Sequence, residues 1–218
     1  MRRQRAAGVG SRMAMGALRA GALVVGEDLG TVEPWVRSYL RERGILGTSI
    51  LWFEFDFEGD GEPLSPERWR ELCLASVTTH DLPPTAAYLA GDHVRLRDEL
   101  GVLTRSLSEE LAAAAAERQA WLDKLRVLGA LRDHASEEET VQALHRFLTW
   151  TPSRLLCVAL TDAVGDRKAQ NQPGTIDEYP NWRVPLSGPD GDPILLEQVF
   201  SSARAAALAD VVGRRDPV

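Results

Sequence analysis

Short apolar runs, each closed by an acid, recur along this chain. Leu23-Val24-Val25 gives way to Gly26 and then to Glu27-Asp28. Ser49-Ile50-Leu51-Trp52-Phe53-Glu54-Phe55 ends in Asp56, and Ser76-Val77-Thr78-Thr79 ends in His80-Asp81. Leu155-Leu156-Cys157-Val158-Ala159-Leu160-Thr161 ends in Asp162. Runs of this kind suit strands buried on both faces of a parallel sheet. Segments of helical periodicity separate them, as parallel strands require. The pattern predicts an α/β fold with a carboxylate at each strand tip, where α/β barrels carry catalytic groups. Taken singly, the first stretch, Val24 to Gly30, also reads as a loop with exposed acids.

The segments between the strands carry helix signals. Pro34 to Arg43 repeats apolar residues at Trp35, Val36, Tyr39 and Leu40, with Gly44 as its stop. Gly59-Asp60-Gly61-Glu62-Pro63 is a loop, and Ser65-Pro66 predicts a helix through about Ala75. Short helices are expected over Pro83–Leu89 and His93–Leu100, and a long Ala-rich one over Leu103–Leu131. Its apolar face is Leu111, Leu122, Leu125 and Leu128, with Trp121 beside them. Ser136 and Glu139 form a capping box for a helix that ends near Trp150. The helices between about 92 and 150 exceed what a crossover needs and read as an insertion. A final amphipathic helix is expected over Ile194 to about Val212. Before it lie a turn-rich loop, Gln170-Asn171-Gln172-Pro173-Gly174-Thr175, and the aperiodic Tyr179-Pro180-Asn181-Trp182-Arg183. Sugar rings could stack on such an aromatic loop, or it could simply pack on the end of the sheet.

Composition narrows the class. The 218 residues suit one large domain or two small ones, and 44% hydrophobic with 26% charged residues is a soluble globular balance. A net charge of -7 argues against a nucleic-acid partner. No apolar run approaches the length of a membrane span. Cys73 and Cys157 sit among apolar neighbours and read as reduced core residues in a reducing, cytoplasmic compartment; a disulfide is the lesser option. Residues 1–22 stand apart, with Arg2, Arg3, Arg5, Arg12 and Arg19 and no acid before Glu27. They read as a basic, partly helical lead-in with a disordered tip, leaving 23–218 as the folded domain. A transit peptide, or a start inside a longer protein, are the other readings.

The available chemistry is carboxylate chemistry. His80, His93, His134 and His145 are not at ligand spacing, and there is no paired-Cys motif, phosphate-cradling loop or serine elbow. Two carboxyl groups flanking a bond are the equipment of glycosidic cleavage. One must hold a proton at working pH, which partial burial near other acids favours. Glu27 reaches further and suits the acid. Asp81, between His80 and Pro83, suits a fixed acceptor for sugar hydroxyls and for oxocarbenium-like charge. A solvated or capping acid is the other reading of each.

Three motifs in order carry a resemblance: Gly26-Glu27-Asp28-Leu29-Gly30, Thr79-His80-Asp81, and Gln170-Asn171-Gln172-Pro173-Gly174-Thr175 followed by Asn181-Trp182-Arg183. They resemble the 4-alpha-glucanotransferase family, the amylomaltase or disproportionating-enzyme group of glycoside hydrolase family 77, from about Leu23 to the C-terminus. Trp35-Val36-Arg37, Leu51-Trp52-Phe53-Glu54 and Asp177-Glu178-Tyr179-Pro180 look like its actinobacterial type. The resemblance implies a (β/α)8 TIM barrel acting on α-1,4-glucan and maltooligosaccharides by a retaining double displacement, with no cofactor and no metal. It implies Glu27 as acid/base, Asp81 as transition-state stabiliser, and His80 and Asn171 as substrate-binding residues.

The departure is upstream. The family's nucleophile is an Asp in an Arg-x-Asp-His motif before the Glu, and no Asp stands between Met1 and Val25. The expectation is therefore the C-terminal half of the barrel, strands five to eight, with a helical insertion before the last strand. Such a chain would be a fragment, from a truncated gene, a misplaced start or a frameshift, and its partner would be the missing N-terminal half. Alone it is expected neither to bury a normal core nor to turn over glucan. The alternative is a non-catalytic remnant that binds maltooligosaccharide or a complementary half barrel. A purely structural α/β module is the third reading.

Overall fold

Parallel pairing in chain order frames the molecule. In the computed structural model, residues 2–30 and 32–214 are described, the side chains of residues 2–8 excepted. Met1, Thr31, the side chains of Arg2, Arg3 and Arg5, and the last four residues thus lie outside the described residues. Strands β1 (Gly47–Ile50), β2 (Cys73–Ser76) and β3 (Leu155–Cys157) pair in parallel in the order β1-β2-β3. The register sets Gly47 against Cys73, and Leu74 against Leu155. Val25 adds a parallel bridge to Leu46 and makes a fourth stave beside β1.

Helices α1 (Arg2–Ala20) and α2 (Trp35–Arg41) flank the first stave. Between β2 and β3 come α3 (Thr85–Ala90), α4 (Asp92–Glu99), α5 (Leu107–Val127) and α6 (Glu137–Thr149). After β3 follow α7 (Leu160–Val164), α8 (Leu196–Phe200) and α9 (Ala203–Gly213). The capping box expected at Ser136 and Glu139 forms, with Ser136 N–H donating to Glu139 at 2.8 Å. Ser106 and Glu109 build a second one on α5. Gly91, at φ 74°, closes α3 in the left-handed conformation that favours glycine.

The core lies on one face of the sheet, under α5 and α6. Trp121, Leu125, Leu144 and Phe147 are fully buried there, with Trp121 and Trp69 edge-on to Phe147 at 5.3 and 5.7 Å. Cys73 and Ala75 of β2 point to the covered face and are fully buried. The expectation that the chain alone would bury no normal core is thus corrected on this face. The opposite, concave face behaves differently: Leu74 is half-buried and Cys157 exposed. The chain exposes 12840 Å² in all, where a folded monomer of its mass should expose about 9,900 Å².

Several expected boundaries move. The Leu23–Val25 run is not buried on both faces: Leu23 is 69% exposed and only Val25 pairs. The run expected over Ser49–Phe55 stops at Ile50 and turns through a short 3₁₀ segment, Leu51–Phe53. Adjacent strand residues point to opposite faces. Leu51 and Trp52 both enter the same core cluster, so the chain has to turn. Asp56 consequently leaves the sheet and pairs with Arg68 at 2.5 Å. The helix expected over Ser65–Ala75 shrinks to Pro66–Arg68, because Cys73–Ser76 is claimed by pairing with strands on both sides. The last helix breaks at Ser202, which caps α9 through Ala205 N–H. Cys73 and Cys157 are both free, but Cys157 faces the concave side and is no core residue.

Candidate active site

A hollow of about 870 Å³ opens along the concave face and the C-terminal ends of the staves. The first stave delivers Glu27 to its wall, the β2 end delivers His80 and Asp81, and the β3 end delivers Cys157 and Thr161. Glu27, His80 and Asp81 are thereby brought together from separate parts of the chain. Glu27 is exposed rather than half-buried, since its stave lies at the margin of the described sheet.

Asp81 sits in a tight turn after β2. Leu82 N–H donates to the Thr79 carbonyl at 3.2 Å, and Asp81 N–H to Thr79 Oγ1 at 3.3 Å. His80 Nε2 lies 3.5 Å from Asp81 Oδ1. Asn171 Nδ2 donates to the same oxygen at 2.7 Å, so the 170–183 loop reaches Asp81 through Asn171. That loop is braced from within by Asn181. Its Oδ1 accepts Gln172 N–H at 2.7 Å, and its Nδ2 donates to Thr175 Oγ1 at 2.9 Å. The aperiodic stretch owes its shape to these bonds. Asp166 anchors its base, accepting from Ser187 Oγ at 2.7 Å and Lys168 N–H at 2.9 Å.

Two of the four expected strand-tip acids are elsewhere. Asp56 lies outside the sheet, paired with Arg68. Asp162 lies in the first turn of α7, fully buried, where it accepts from Thr85 N–H at 2.9 Å and Thr85 Oγ1 at 2.6 Å. Both are structural in what they touch.

The sequence pattern assigns Asp28 no role beyond that of a neighbour of Glu27. Asp28 is 1% exposed. Its carboxylate accepts from Thr48 N–H at 2.7 Å and pairs with Arg70 at 2.6 Å, while Arg37 stands 3.5 Å away. Arg70 also donates to the Thr48 carbonyl and to Ser49 Oγ. The clamp pins the first stave to β1 immediately beside Glu27. Strand alternation is the signal that could have found it: if Glu27 faces the hollow, Asp28 must face away. Gly47 gives the clamp its room, as a Cβ there would stand 2.8 Å from Arg70 Nη1 and 3.0 Å from the Asp28 oxygens.

Burial pushes the Asp28 carboxyl up, but the bonds from Arg70 and Thr48 outweigh it and hold it below the ordinary value. Glu54, also near Arg70, is pushed up by burial. For Asp28 the unfolded chain takes up the proton first as pH falls. Its contribution is therefore whole above about pH 3.9 and is lost below it, through the lower native value. Asp28→Asn should cost about 2 kcal/mol at neutral pH. It should also flatten the fall in urea midpoint between about pH 4 and pH 2. A variant with the parent's slope would show that Asp28 carries no linked stability.

The model of the family described as 4-alpha-glucanotransferase matches residues 7–190. A 4-alpha-glucanotransferase of Mycobacterium tuberculosis is 66% identical over 204 residues, which cover 92% of this chain and 28% of that protein. The crystal structure of amylomaltase from Corynebacterium glutamicum superposes with a TM-score of 0.87 at 44% identity, over 93% of this chain and 30% of that one. Amylomaltase from Streptococcus agalactiae in complex with acarbose shares the fold, with a TM-score of 0.57 at 18% identity, over 95% of this chain and 35% of that one. The chain thus spans less than a third of the length of the curated relatives it matches with 66% identity.

Proposed function

The chain belongs to the 4-alpha-glucanotransferase family, and from that premise we propose that it carries the acid/base side of a glucanotransferase site. In this reading its staves are strands five to eight of a (β/α)8 barrel and the remaining strands come from outside these residues. What supports it is that Glu27 and Asp81, from staves separated by β1, line one hollow at the C-terminal ends of parallel strands. The excess exposed area and the open concave face also favour it, since a closed barrel fills its interior with side chains.

The chemistry is a double displacement on α-1,4-glucan. An Asp from outside the chain attacks the anomeric carbon, and Glu27 gives its proton to the departing glycosidic oxygen. The glycosyl-enzyme ester is then opened by the 4-hydroxyl of an acceptor sugar, whose proton returns to Glu27. Asp81 holds sugar hydroxyls and the developing positive charge. Asn171 and His80, both against its carboxylate, fix its direction and meet the neighbouring hydroxyls.

The test is reconstitution. The chain is mixed with a polypeptide holding the rest of the Mycobacterium tuberculosis relative, and the mixture is incubated with maltotriose. Glucose and longer maltodextrins should form in the mixture and with neither part alone. Maltooligosaccharide binding without products in the mixture would favour a non-catalytic remnant. If the mixture neither bound nor converted glucan, the reading would fall.

A further inference from the structure

We propose that Trp182 is a stacking platform for a glucose unit at the rim of the hollow, next to the unit that reaches Asp81. The inference rests on the glucan reading above and names a contact that reading does not use. Trp182 leaves 64% of its surface exposed. Its backbone is held at φ 61°, a conformation that bulky side chains rarely adopt. Burial does not explain why an indole is kept there. The surrounding loop does hold it: Trp182 N–H donates to the Gln170 carbonyl at 2.8 Å, and Asn181 just before it braces Gln172 and Thr175. One side of the indole is set against the His80 ring, 5.2 Å between centroids and tilted by 44°. Both His80 and Gln170 line the hollow. An aromatic face is thus displayed beside a group of hydroxyl-binding side chains, Asp81, His80 and Asn171.

A pyranose ring matches that combination. Its axial C–H groups form an apolar face for an aromatic ring, and its hydroxyls project from the edge toward hydrogen-bonding groups. An α-1,4-linked chain whose one unit meets Asp81 lays the next unit outward, across the rim. Strained backbone at an exposed aromatic then reads as the means of presenting the indole to the ligand.

Calorimetric titration of the 218-residue chain with maltotetraose tests the contact, using Trp182→Gly, Trp182→Phe and Trp182→Leu. Glycine adopts φ 61° without the Cβ clash, so the Gly variant removes the ring and keeps the loop. Trp182→Gly should bind roughly tenfold more weakly, whereas Trp182→Phe should stay within about threefold of the parent. In the parent, the indole N–H signal that is missing from the Phe variant should shift on titration. If the parent binds and Trp182→Gly binds equally well, the platform is wrong and the glucan reading survives. If the parent does not bind maltotetraose, the platform on this chain falls, while the glucan reading stands or falls with the reconstituted mixture. Should the Gly variant lose its fold by circular dichroism, Leu against Phe decides: equal affinity of those two overturns the proposal.

Discussion

Glu27→Gln in the reconstituted enzyme is expected to lower glucan transfer by about a thousandfold, the scale on which general acid–base groups act. Gln keeps the length and nearly the volume of Glu, and the side chain is exposed at the hollow's wall, so folding should be unchanged. What is lost is the proton. Breaking the first bond needs a donor for the glycosidic oxygen, and the second step needs an acceptor for the incoming hydroxyl proton. Substrate choice separates these roles. Fluoride departs from an α-glucosyl fluoride without protonation, so Glu27→Gln should still form the glycosyl-enzyme and then stall. Added azide, a nucleophile that needs no base, should release it as α-glucosyl azide. Absence of azide rescue on the fluoride, with binding intact, would remove Glu27 from the acid/base role. Asp28→Asn, one residue away, should behave quite differently. It loosens the clamp to Arg70 and Thr48, so stability falls first and azide brings no rescue.

That adjacent acids differ so much bears on what could be read from the chain. Local signals carried well. The Ser136–Glu139 capping box, the helix after Pro34 and the short helices on either side of Gly91 depend on residues within a few positions of each other, and they form as expected. Pairing across the chain was not legible. Cys73–Ser76 has no strong strand pattern of its own and becomes a strand because β1 and β3 lie on either side. The Leu51–Trp52 turn follows from a core assembled with Trp121 and Phe147, far downstream. At the site, Glu27, His80, Asp81 and Asn171 came from motifs in a fixed order. Periodicity alone assigned four strand-tip acids and could not tell the two at the hollow from Asp56 and Asp162. The Arg70 half of the Asp28 clamp had no sequence signal, being 42 residues away.

Asp162 shows what that blindness conceals, and it is where the largest loss of stability is expected. Asp162→Ala should destabilise the chain by about 4 kcal/mol, lowering the thermal midpoint by roughly 10 °C. The carboxylate is 1% exposed, with Thr85 N–H and Thr85 Oγ1 on its two oxygens and His145 Nε2 3.5 Å away. Removing it orphans a backbone donor at the first residue of α3 and a buried hydroxyl. Asp162→Asn retains one carbonyl oxygen for Thr85 N–H and should lose about half as much. A double-mutant cycle with Thr85→Val isolates the pair, and a coupling below about 0.5 kcal/mol would deny it. The position of the pair gives the loss a functional side. Asp162 lies in the first turn of the helix after β3, and Thr85 begins the helix that follows the Asp81 turn. Their bond therefore holds two walls of the hollow at a fixed distance. Asp162→Asn, still folded at room temperature, should weaken maltotetraose binding as well as lower the midpoint. A destabilised variant with unchanged affinity would place the pair in the scaffold alone, with no hold on the geometry of Asp81.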